Sequence, residues 1–382
     1  MPVNYIALGQ QITSLGDSAI QRNGEIQEKL ARCRQLLAQY ANEIIPLQQK
    51  VEEAVSRESG LRCAKPYHEA LTLHASSPVT PGECVLLAAD GSQITPNPHE
   101  PVLFGLVNIG VFRMPLNLGG APSESIESVL LYDDALFTSA GMISDDLVGL
   151  LRDVREREVM VQLVRTEKII DPSMPVITLT DGPLEFFHEP RTDKQFAPQF
   201  NKYLAALDEL SLQGAITAGY VDRPRADLVV RLMELVESSG VERPFTGLTD
   251  LLLFSDLLQP GERTAVFELQ STSSKTYVGN KALHFFYLNV SRSNKPAIAR
   301  VEIPAWVARD KDVLNLLQSV LVDQANTSGN QPYPYALLRA HEIAVVKRED
   351  NTQLTWLIEQ ELIRQGFDPS EKSNKQSGKD AV

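Results

Sequence analysis

This 382-residue chain has few cysteines and no long apolar run. Its three cysteines, Cys33, Cys63 and Cys84, are an odd number and lie far apart in the sequence. That pattern argues against a disulfide framework and against a cysteine zinc site, and it favours a reducing cytoplasm. No stretch approaches the length of an apolar membrane span, and the first residues lack the basic and apolar regions of a signal peptide. We therefore expect a cytoplasmic protein with no membrane contact.

Positive charge is scarce as well. The chain has 36 lysines and arginines against 49 aspartates and glutamates, which gives a formal net charge of −13. Proteins that hold phosphate backbones over a broad face usually carry a basic surplus. A protein of this charge that binds nucleic acid must use a local groove, bound cations or a partner with a positive surface. No Walker loop occurs in the sequence, so we expect no ATP hydrolysis by this chain.

The first sixty residues carry a heptad pattern. Apolar residues recur alternately every four and three positions, at Ile26, Leu30, Cys33, Leu37, Tyr40, Ile44, Leu47 and Val51. This spacing predicts a coiled-coil-like helical segment, which Pro46 should kink or break near Ile45. The apolar seam either packs on its own domain or forms a helical hairpin or dimer contact. We therefore divide the chain into a helical extension (1–60), a main domain (61–366) and a disordered polar tail (367–382).

The main domain has the pattern of an α/β protein. Apolar runs predict strands at 84–92, 102–114 and 128–137, followed by a long helix that begins after Ser144 and a further strand near 176–179. Helices and strands then alternate, and the last two helices are expected at 311–325 and 336–364. This order predicts a mixed β-sheet flanked by helices.

Two of the predicted strands end in Asp-Gly. Asp90 and Gly91 follow the apolar run 84–89, and Asp181 and Gly182 follow the run 176–179. A single Asp-Gly is usually a turn. If the two strands are neighbours, however, two carboxylates lie close together, and a divalent cation would relieve their repulsion and their desolvation. We therefore expect Asp90 and Asp181 to bind a metal ion.

The long helix supplies a third carboxylate. Glu158 falls on the apolar stripe of this helix, together with Leu147, Leu151, Val154 and Val161. A buried glutamate needs a partner, and a metal ion is a natural one. Glu156, on a neighbouring face, is the alternative, and Glu158 could instead pair with Arg155.

The segment "PYPYALLRAHEIAVV" adds a tyrosine and a histidine. His341 lies in a predicted helix, where a single histidine is more often structural than functional. Beside three carboxylates, a neutral imidazole is a plausible fourth ligand or proton carrier. The hydroxyl of Tyr333 could orient a phosphate or a water molecule.

Four segments together resemble the NurA nucleases: "AADGSQ", "VREREVM", "LTDGPL" and "PYPYALLRAHEIA". The resemblance extends from about Val85 to the final helix. It implies an RNase H-like fold and an active site composed of Asp90, Glu158, Asp181 and His341, with Tyr333 beside them. The register of the helix leaves Glu156 as the alternative to Glu158.

The same resemblance implies a DNA nuclease that uses Mn²⁺ or Mg²⁺, with two ions at the site. One ion would generate hydroxide and the other would stabilise the leaving 3′-oxygen. NurA proteins combine 5′-to-3′ exonuclease and single-strand endonuclease activities. They work as homodimers with the hexameric translocase HerA in DNA end resection at double-strand breaks and, in some bacteria, in phage defence. A partner that delivers single-stranded or duplex DNA ends would suit an acidic nuclease.

Two alternatives stay open at the level of sequence. The second Asp-Gly is followed by Pro183 where serine is commoner in the family, which leaves room for a catalytically silent NurA-like subunit that scaffolds a translocase. The other alternative is an RNase H-like, metal-dependent nuclease that acts on RNA.

Overall fold

The computed structural model describes residues 4–78, 80–139, 141–186, 196–238, 242–293, 295–329 and 331–367. Of the predicted disordered tail (367–382), residues 368–382 lie outside the described residues. The chain forms two compact units. The first comprises Met1–Ser77, Val221–Thr276 and Ala282–Glu302, and the second comprises Pro78–Tyr220, Tyr277–Lys281 and Ile303–Val382. Each element below is assigned to the unit that holds most of its residues.

The described residues form ten α-helices and eleven β-strands. The helices are α1 (Tyr5–Gln39), α2 (Ile44–Arg57), α3 (Asp145–Ile170), α4 (Phe196–Leu212), α5 (Leu228–Glu237), α6 (Asp250–Phe254), α7 (Ala305–Ala308), α8 (Lys311–Thr327), α9 (Tyr335–Ala344) and α10 (Arg348–Arg364). The strands are β1 (Cys63–Pro66), β2 (Cys84–Ile94), β3 (Gly105–Leu116), β4 (Ser123–Leu131), β5 (Phe137–Thr138), β6 (Gly141–Met142), β7 (Val176–Asp181), β8 (Ile216–Asp222), β9 (Phe267–Gln270), β10 (Leu283–Asn289) and β11 (Ile298–Pro304).

The second unit is built on a mixed sheet in which β8, β7, β2, β3 and β4 are neighbours in that order. Strand β3 is antiparallel to both β2 and β4, whereas β7 is parallel to both β2 and β8. Helices α3 and α9 pack on β2 and β3, and α4 packs on α3. A sheet of this order flanked by helices has the RNase H-like arrangement, so the predicted fold class is confirmed.

Helices α3 and α9 lie on opposite faces of this sheet. Asp90 of β2 is paired with Gly110 of β3, so both residues face the same side. A methyl group at Gly110 would touch α9, whereas one at the next residue of β2, Gly91, would touch α3. Because successive strand residues point to opposite faces, the sheet separates the two helices.

The first unit contains β1, β9, β10 and β11 as neighbours in that order, with α1, α2, α5 and α6. The helical segment is broken as predicted, but at residues 40–43 and not near Ile45, which is helical in α2. Pro46 lies in the first turn of α2, where its missing N–H removes no helical hydrogen bond. The seam is buried within this unit at Leu30, Cys33, Leu37, Leu47 and Val51. A contact between residues 1–60 and a partner stays a prediction.

The three cysteines are free and buried. Burial raises the pKa of each thiol, Cys33, Cys63 and Cys84, to about 12. The thiols therefore stay protonated at neutral pH and pack as small apolar groups. Across the part of the chain that the structure describes, no helix combines the length and the apolar character that crossing a membrane requires.

The predicted last helix, 336–364, is divided into α9 and α10. The helix ends at Ala344, whose carbonyl oxygen accepts hydrogen bonds from the Asn108 amide (2.7 Å) and from the Ser92 hydroxyl. The same hydroxyl accepts a bond from the N–H of Val346 at 3.2 Å. These side chains of β2 and β3 replace the helical hydrogen bonds at this point, which periodicity alone does not reveal.

Candidate active site

The parallel pairing of β2 and β7 sets the positions of the two aspartates. Ala89 is paired with Thr180, and Asp90 and Asp181 are the next residue of each strand. The two carboxylates therefore leave the sheet side by side, on the face that carries α9. The prediction that the two carboxylates lie close together depended on the two strands being neighbours, and the register shows that they are.

The two Asp-Gly pairs differ in backbone structure. Strand β7 ends at Asp181, and Gly182 has a φ of +86°, in the left-handed region that favours glycine. Strand β2, in contrast, continues through Asp90 and Gly91 to Ile94 because β3 stays paired with it. The expectation that β2 ends at Asp90 is therefore wrong, and only the second Asp-Gly is a turn.

His341 contacts Asp90 directly. Its Nδ1 lies 2.6 Å from Oδ2 of Asp90, and the other carboxylate oxygen accepts a bond from the N–H of Gly91 at 2.8 Å. The imidazole is 59% exposed, so its remaining nitrogen is accessible to solvent. The structure thus brings His341, from the end of the chain, to the strand that bears Asp90.

Gly110 allows α9 to come this close. A methyl group at Gly110, opposite Asp90, would lie 2.5 Å from the backbone nitrogen of Ala344 and 2.7 Å from the carbonyl oxygen of Ala340. Any larger residue would push α9, and His341 with it, away from the sheet. Sequence reasoning missed this residue, although an isolated glycine within a strand pattern is a recognised sign of close backbone approach.

Tyr333 faces Asp181 on the same side of the sheet. Burial, followed by the Asp181 charge, raises the pKa of the phenol well above its usual value, so the hydroxyl stays protonated and can donate to the carboxylate. The Asp181 side chain is exposed, yet desolvation by the protein atoms around it raises its pKa. The hydrogen bond from Tyr333 lowers this pKa, and the negative charge of Asp90 raises it further. The ring of Tyr333 packs edge-on against Tyr220, with ring centroids 5.5 Å apart.

Glu156 is the glutamate of α3 that joins this group. It is 6% exposed and lines a cavity of about 430 Å³ together with Asp90 and Asp181. Burial, reinforced by the charges of Asp153 and Asp90, raises the pKa of Glu156 to about 8. Arg152 and Arg157 lower this pKa but do not cancel the effect of burial, so the protein favours the protonated form of Glu156.

Glu158, the first choice from the sequence, lies elsewhere. Its side chain is 37% exposed and ion-paired with Arg155 at 2.8 Å, which was the alternative considered for it. It lines a separate cavity of about 390 Å³ that contains none of the other predicted site residues. The prediction of a buried Glu158 is wrong because α3 is buried on two sides, by the sheet and by α4, so one apolar stripe did not define the inner face.

The donor set suits a hard divalent cation. Carboxylate oxygens are the ligands that Mg²⁺ and Mn²⁺ prefer, and Asp90, Glu156 and Asp181 all line one cavity. Burial is the main cause of the raised pKa of Glu156, and a bound cation would favour its deprotonated form. Among the described residues, however, no group of three potential ligands lies close enough together to hold an ion without a shift of side chains.

Sequence reasoning also missed two arginines of α3, Arg152 and Arg157, which line the same cavity. Arg152 lies 3.6 Å from Oε1 of Glu156, and Arg157 donates a 2.8 Å bond to the hydroxyl of Thr180. Arg157 belongs to the segment "VREREVM" (154–160), and Arg152 lies two residues before it; neither had been considered for the site. The site is therefore not purely acidic.

An acidic cluster at the edge of an RNase H-like sheet defines the class of site, and the comparisons define the family. The NurA domain family matches residues 84–346, which is more than half of the chain. The chain therefore belongs to the NurA domain family. No curated protein matches it.

Several solved structures resemble the chain in fold. The NurA nuclease from Sulfolobus solfataricus is 14% identical, with a TM-score of 0.42 over 92% of this chain and 98% of that one. A NurA structure with manganese is 11% identical, with a TM-score of 0.43 over 74% of this chain and 91% of that one. The catalytic domain of human Endonuclease V is 14% identical, with a TM-score of 0.34 over 83% and 99%. At this level of similarity they assign no residue roles in this chain.

Proposed function

We propose that this NurA-family chain is a metal-dependent nuclease that cleaves DNA, as a 5′-to-3′ exonuclease and a single-strand endonuclease. The observation that carries the proposal is the parallel register of β2 and β7, which sets Asp90 beside Asp181. Glu156 lines the same cavity, and His341 is bonded to Asp90. Membership of the NurA family supports a nuclease in general terms.

The cofactor of the proposal is Mn²⁺ or Mg²⁺, with two ions held by Asp90, Glu156 and Asp181. Glu156 takes the role that the sequence had given to Glu158. Bound divalent ions would supply an activated water molecule and charge stabilisation for the leaving oxygen. The manganese in one of the NurA structures agrees with this choice of ion.

The protein's own groups would orient the site and move protons. With its proton on Nδ1, His341 donates to Asp90, which leaves the exposed Nε2 to accept a proton or bind a cation. Tyr333 keeps its proton because its pKa is raised, so it can only donate to Asp181 and hold that carboxylate in one orientation. The bond from the N–H of Gly91 does the same for Asp90.

The proposal includes partners: a second copy of the chain and a HerA-like hexameric ATPase, in DNA end resection at double-strand breaks or in phage defence. The net charge of −13 supports a partner that delivers DNA. An apolar groove of about 680 Å³ in the second unit, lined in part by Leu130, Tyr132, Phe137 and Leu357, supports a protein contact of some kind.

A cleavage assay tests the proposal. The purified chain is incubated with single-stranded DNA, blunt duplex DNA and RNA of the same sequence, labelled at either end, in Mn²⁺ or in EDTA. We expect DNA cleavage in Mn²⁺ only, and a loss of at least about 100-fold in Asp181→Asn. Asp145→Asn, a matched change in the exposed first turn of α3, should keep full activity.

The other outcomes separate the alternatives. Full activity in Asp181→Asn, or cleavage that EDTA leaves unchanged, would contradict the proposed site. Preferential cleavage of RNA would favour the RNA nuclease. Cleavage of none of the substrates would favour the silent scaffold, which agrees with the lack of a preformed three-ligand group among the described residues.

A further inference from the structure

The wall of the cavity beside the acidic residues includes residues that the proposed chemistry does not use. Besides the carboxylates, the cavity of about 430 Å³ is lined by Arg152, Arg157, Tyr203 and the segment from Gly182 to Phe186. The volume lies within the usual range for small-ligand sites. Any group bound there would adjoin Asp90 and Asp181.

Arg157 places a cation in this wall that is not neutralised by a direct ion pair. The residue is 4% exposed, and none of the ion pairs within the described ranges involves it. Nη2 donates to Thr180, whereas Nε and Nη1 have no hydrogen-bond partner among the described residues. Buried unpartnered donors are rare and call for an explanation, and an anion in the adjoining cavity would provide one.

Arg152 adds a more accessible cation. Its side chain is 33% exposed, with Nη2 2.8 Å from Asp153 and Nε 3.6 Å from Glu156. A phosphate that approached the carboxylate side would therefore meet a guanidinium at the rim of the cavity. Since Asp153 and Glu185 also line the cavity, the phosphate would depend on the divalent cations as well.

Phe186 adds an aromatic surface. Its ring is half-buried and packs against Phe196 and Phe200, with centroids 5.7 and 6.4 Å apart. Its backbone N–H donates to the Tyr277 hydroxyl at 3.0 Å, and the carbonyl of Leu184 accepts bonds from the hydroxyls of Tyr203 and Tyr277. The segment that carries Phe186 is therefore held at two points, as a rigid platform for stacking would require.

Resting on the proposed nuclease function, we infer that this cavity binds one unpaired nucleotide of the strand to be cut. The base stacks on Phe186, and its phosphate lies between Arg152 and the metal-binding carboxylates. Aromatic rings and a cationic wall are the usual means of binding single strands without sequence preference. A base must leave its partner strand to stack on Phe186, so the cavity selects unpaired ends or single strands and acts on specificity rather than on the chemical step.

A stacking experiment tests this inference. Binding of fluorescent single-stranded oligonucleotides is measured by anisotropy in Ca²⁺, a cation that also prefers oxygen ligands. A single abasic position is moved along the strand. In the wild type, one position should weaken binding by about 10-fold. In Phe186→Ala that position should lose its effect, because base and ring contribute one shared interaction. Phe186→Trp should restore the effect, and exposed Phe367→Ala is the aromatic control.

Charge variants on α3 complete the test. Arg152→Ala should raise KM for single-stranded DNA in Mn²⁺ more than it lowers kcat. Arg155→Ala, which removes an equal charge outside the cavity, should leave KM within about 2-fold.

If no abasic position depends on Phe186, or if Phe186→Ala binds normally, the inference fails although cleavage persists. If the wild type shows the abasic effect but cleaves nothing in Mn²⁺, the inference holds and the proposed function fails.

Discussion

Helices α3 and α9 approach the Asp90 end of β2 from opposite faces of the sheet, and each is in close contact with a glycine. At Gly91, the atoms nearest to an added methyl group would belong to the side chains of Arg152 and Glu156, at 2.5 and 2.6 Å. At Gly110, the nearest atoms would be backbone atoms of Ala344 and Ala340. Side chains can rotate away but a helix backbone cannot. The position of α9 is therefore fixed more strictly than the position of the Glu156 carboxylate.

The largest expected effect distinguishes the two glutamates of α3. Glu156→Gln should lower Mn²⁺-dependent cleavage by at least about 100-fold, since it removes a carboxylate that lines the same cavity as Asp90 and Asp181. Glu158→Gln, two residues away, should change the rate by less than about 2-fold because it breaks only a partly exposed pair with Arg155. Initial rates at saturating DNA and metal measure both. A larger loss of cleavage in Glu158→Gln than in Glu156→Gln would instead assign the catalytic role to Glu158.

A smaller effect is expected from the glycine beneath α9. Gly110→Ala should cost about 1–3 kcal/mol of stability and lower cleavage about 10-fold, because α9 must move and carry His341 away from Asp90. Urea unfolding and cleavage rates measure the two losses.

Variants at two other glycines serve as controls for this prediction. Gly91→Ala should be milder than Gly110→Ala, because side chains can yield. Gly149→Ala, within α3, should be neutral or stabilising, since the nearest atom to the new methyl would be 3.8 Å away. Equal losses in all three variants would show that α9 is not specially constrained.

The smallest expected effect is the dependence of folding stability on pH when no metal is present. Burial raises the folded-state pKa of Glu156 to about 8, above the usual 4.5, so the folded protein binds this proton more tightly than the unfolded chain does. Stability should therefore fall as pH rises from about 4.5 to 8 and lose nothing more from this group above that range. In EDTA, Glu156→Gln should gain a few °C in Tm over the wild type at pH 8.5 but not at pH 4.5.

Added Mn²⁺ should raise the Tm of the wild type at pH 8.5 and have less effect on Glu156→Gln, because the cation binds the deprotonated carboxylate. Glu158→Gln serves as the control in both measurements. A constant Tm difference across pH would contradict the assignment of the proton to Glu156.

The sequence predicted those parts of the site that depend on strand order and local pattern. Asp90 and Asp181 follow similar apolar runs, and parallel pairing of those runs was enough to bring them together. His341 was found because it follows the tyrosine-rich start of a predicted helix, in the segment "PYPYALLRAHEIAVV". The metal-binding roles of all these residues stay predictions.

The parts that failed depend on tertiary packing. Glu158 was chosen because a single apolar stripe was read on α3, but this helix is covered on two sides, so burial does not follow one stripe. The end of α9 was missed because it is set by Ser92 and Asn108, which come from strands more than two hundred residues earlier. Arg157 was missed because a charged residue in a helix is usually exposed.

The early end of β7 has a broader consequence. A β-sheet ordinarily separates the side chains on its two faces. Here β7 pairs with β2 only as far as Thr180, while β2 continues to Ile94. The sheet therefore has a gap beside β2 at the position of Asp90 and Asp181. At this gap His341, from the α9 side, contacts Asp90, and Glu156, from the α3 side, lines a cavity with both aspartates. The two helical layers therefore contribute to one site although the sheet separates them elsewhere.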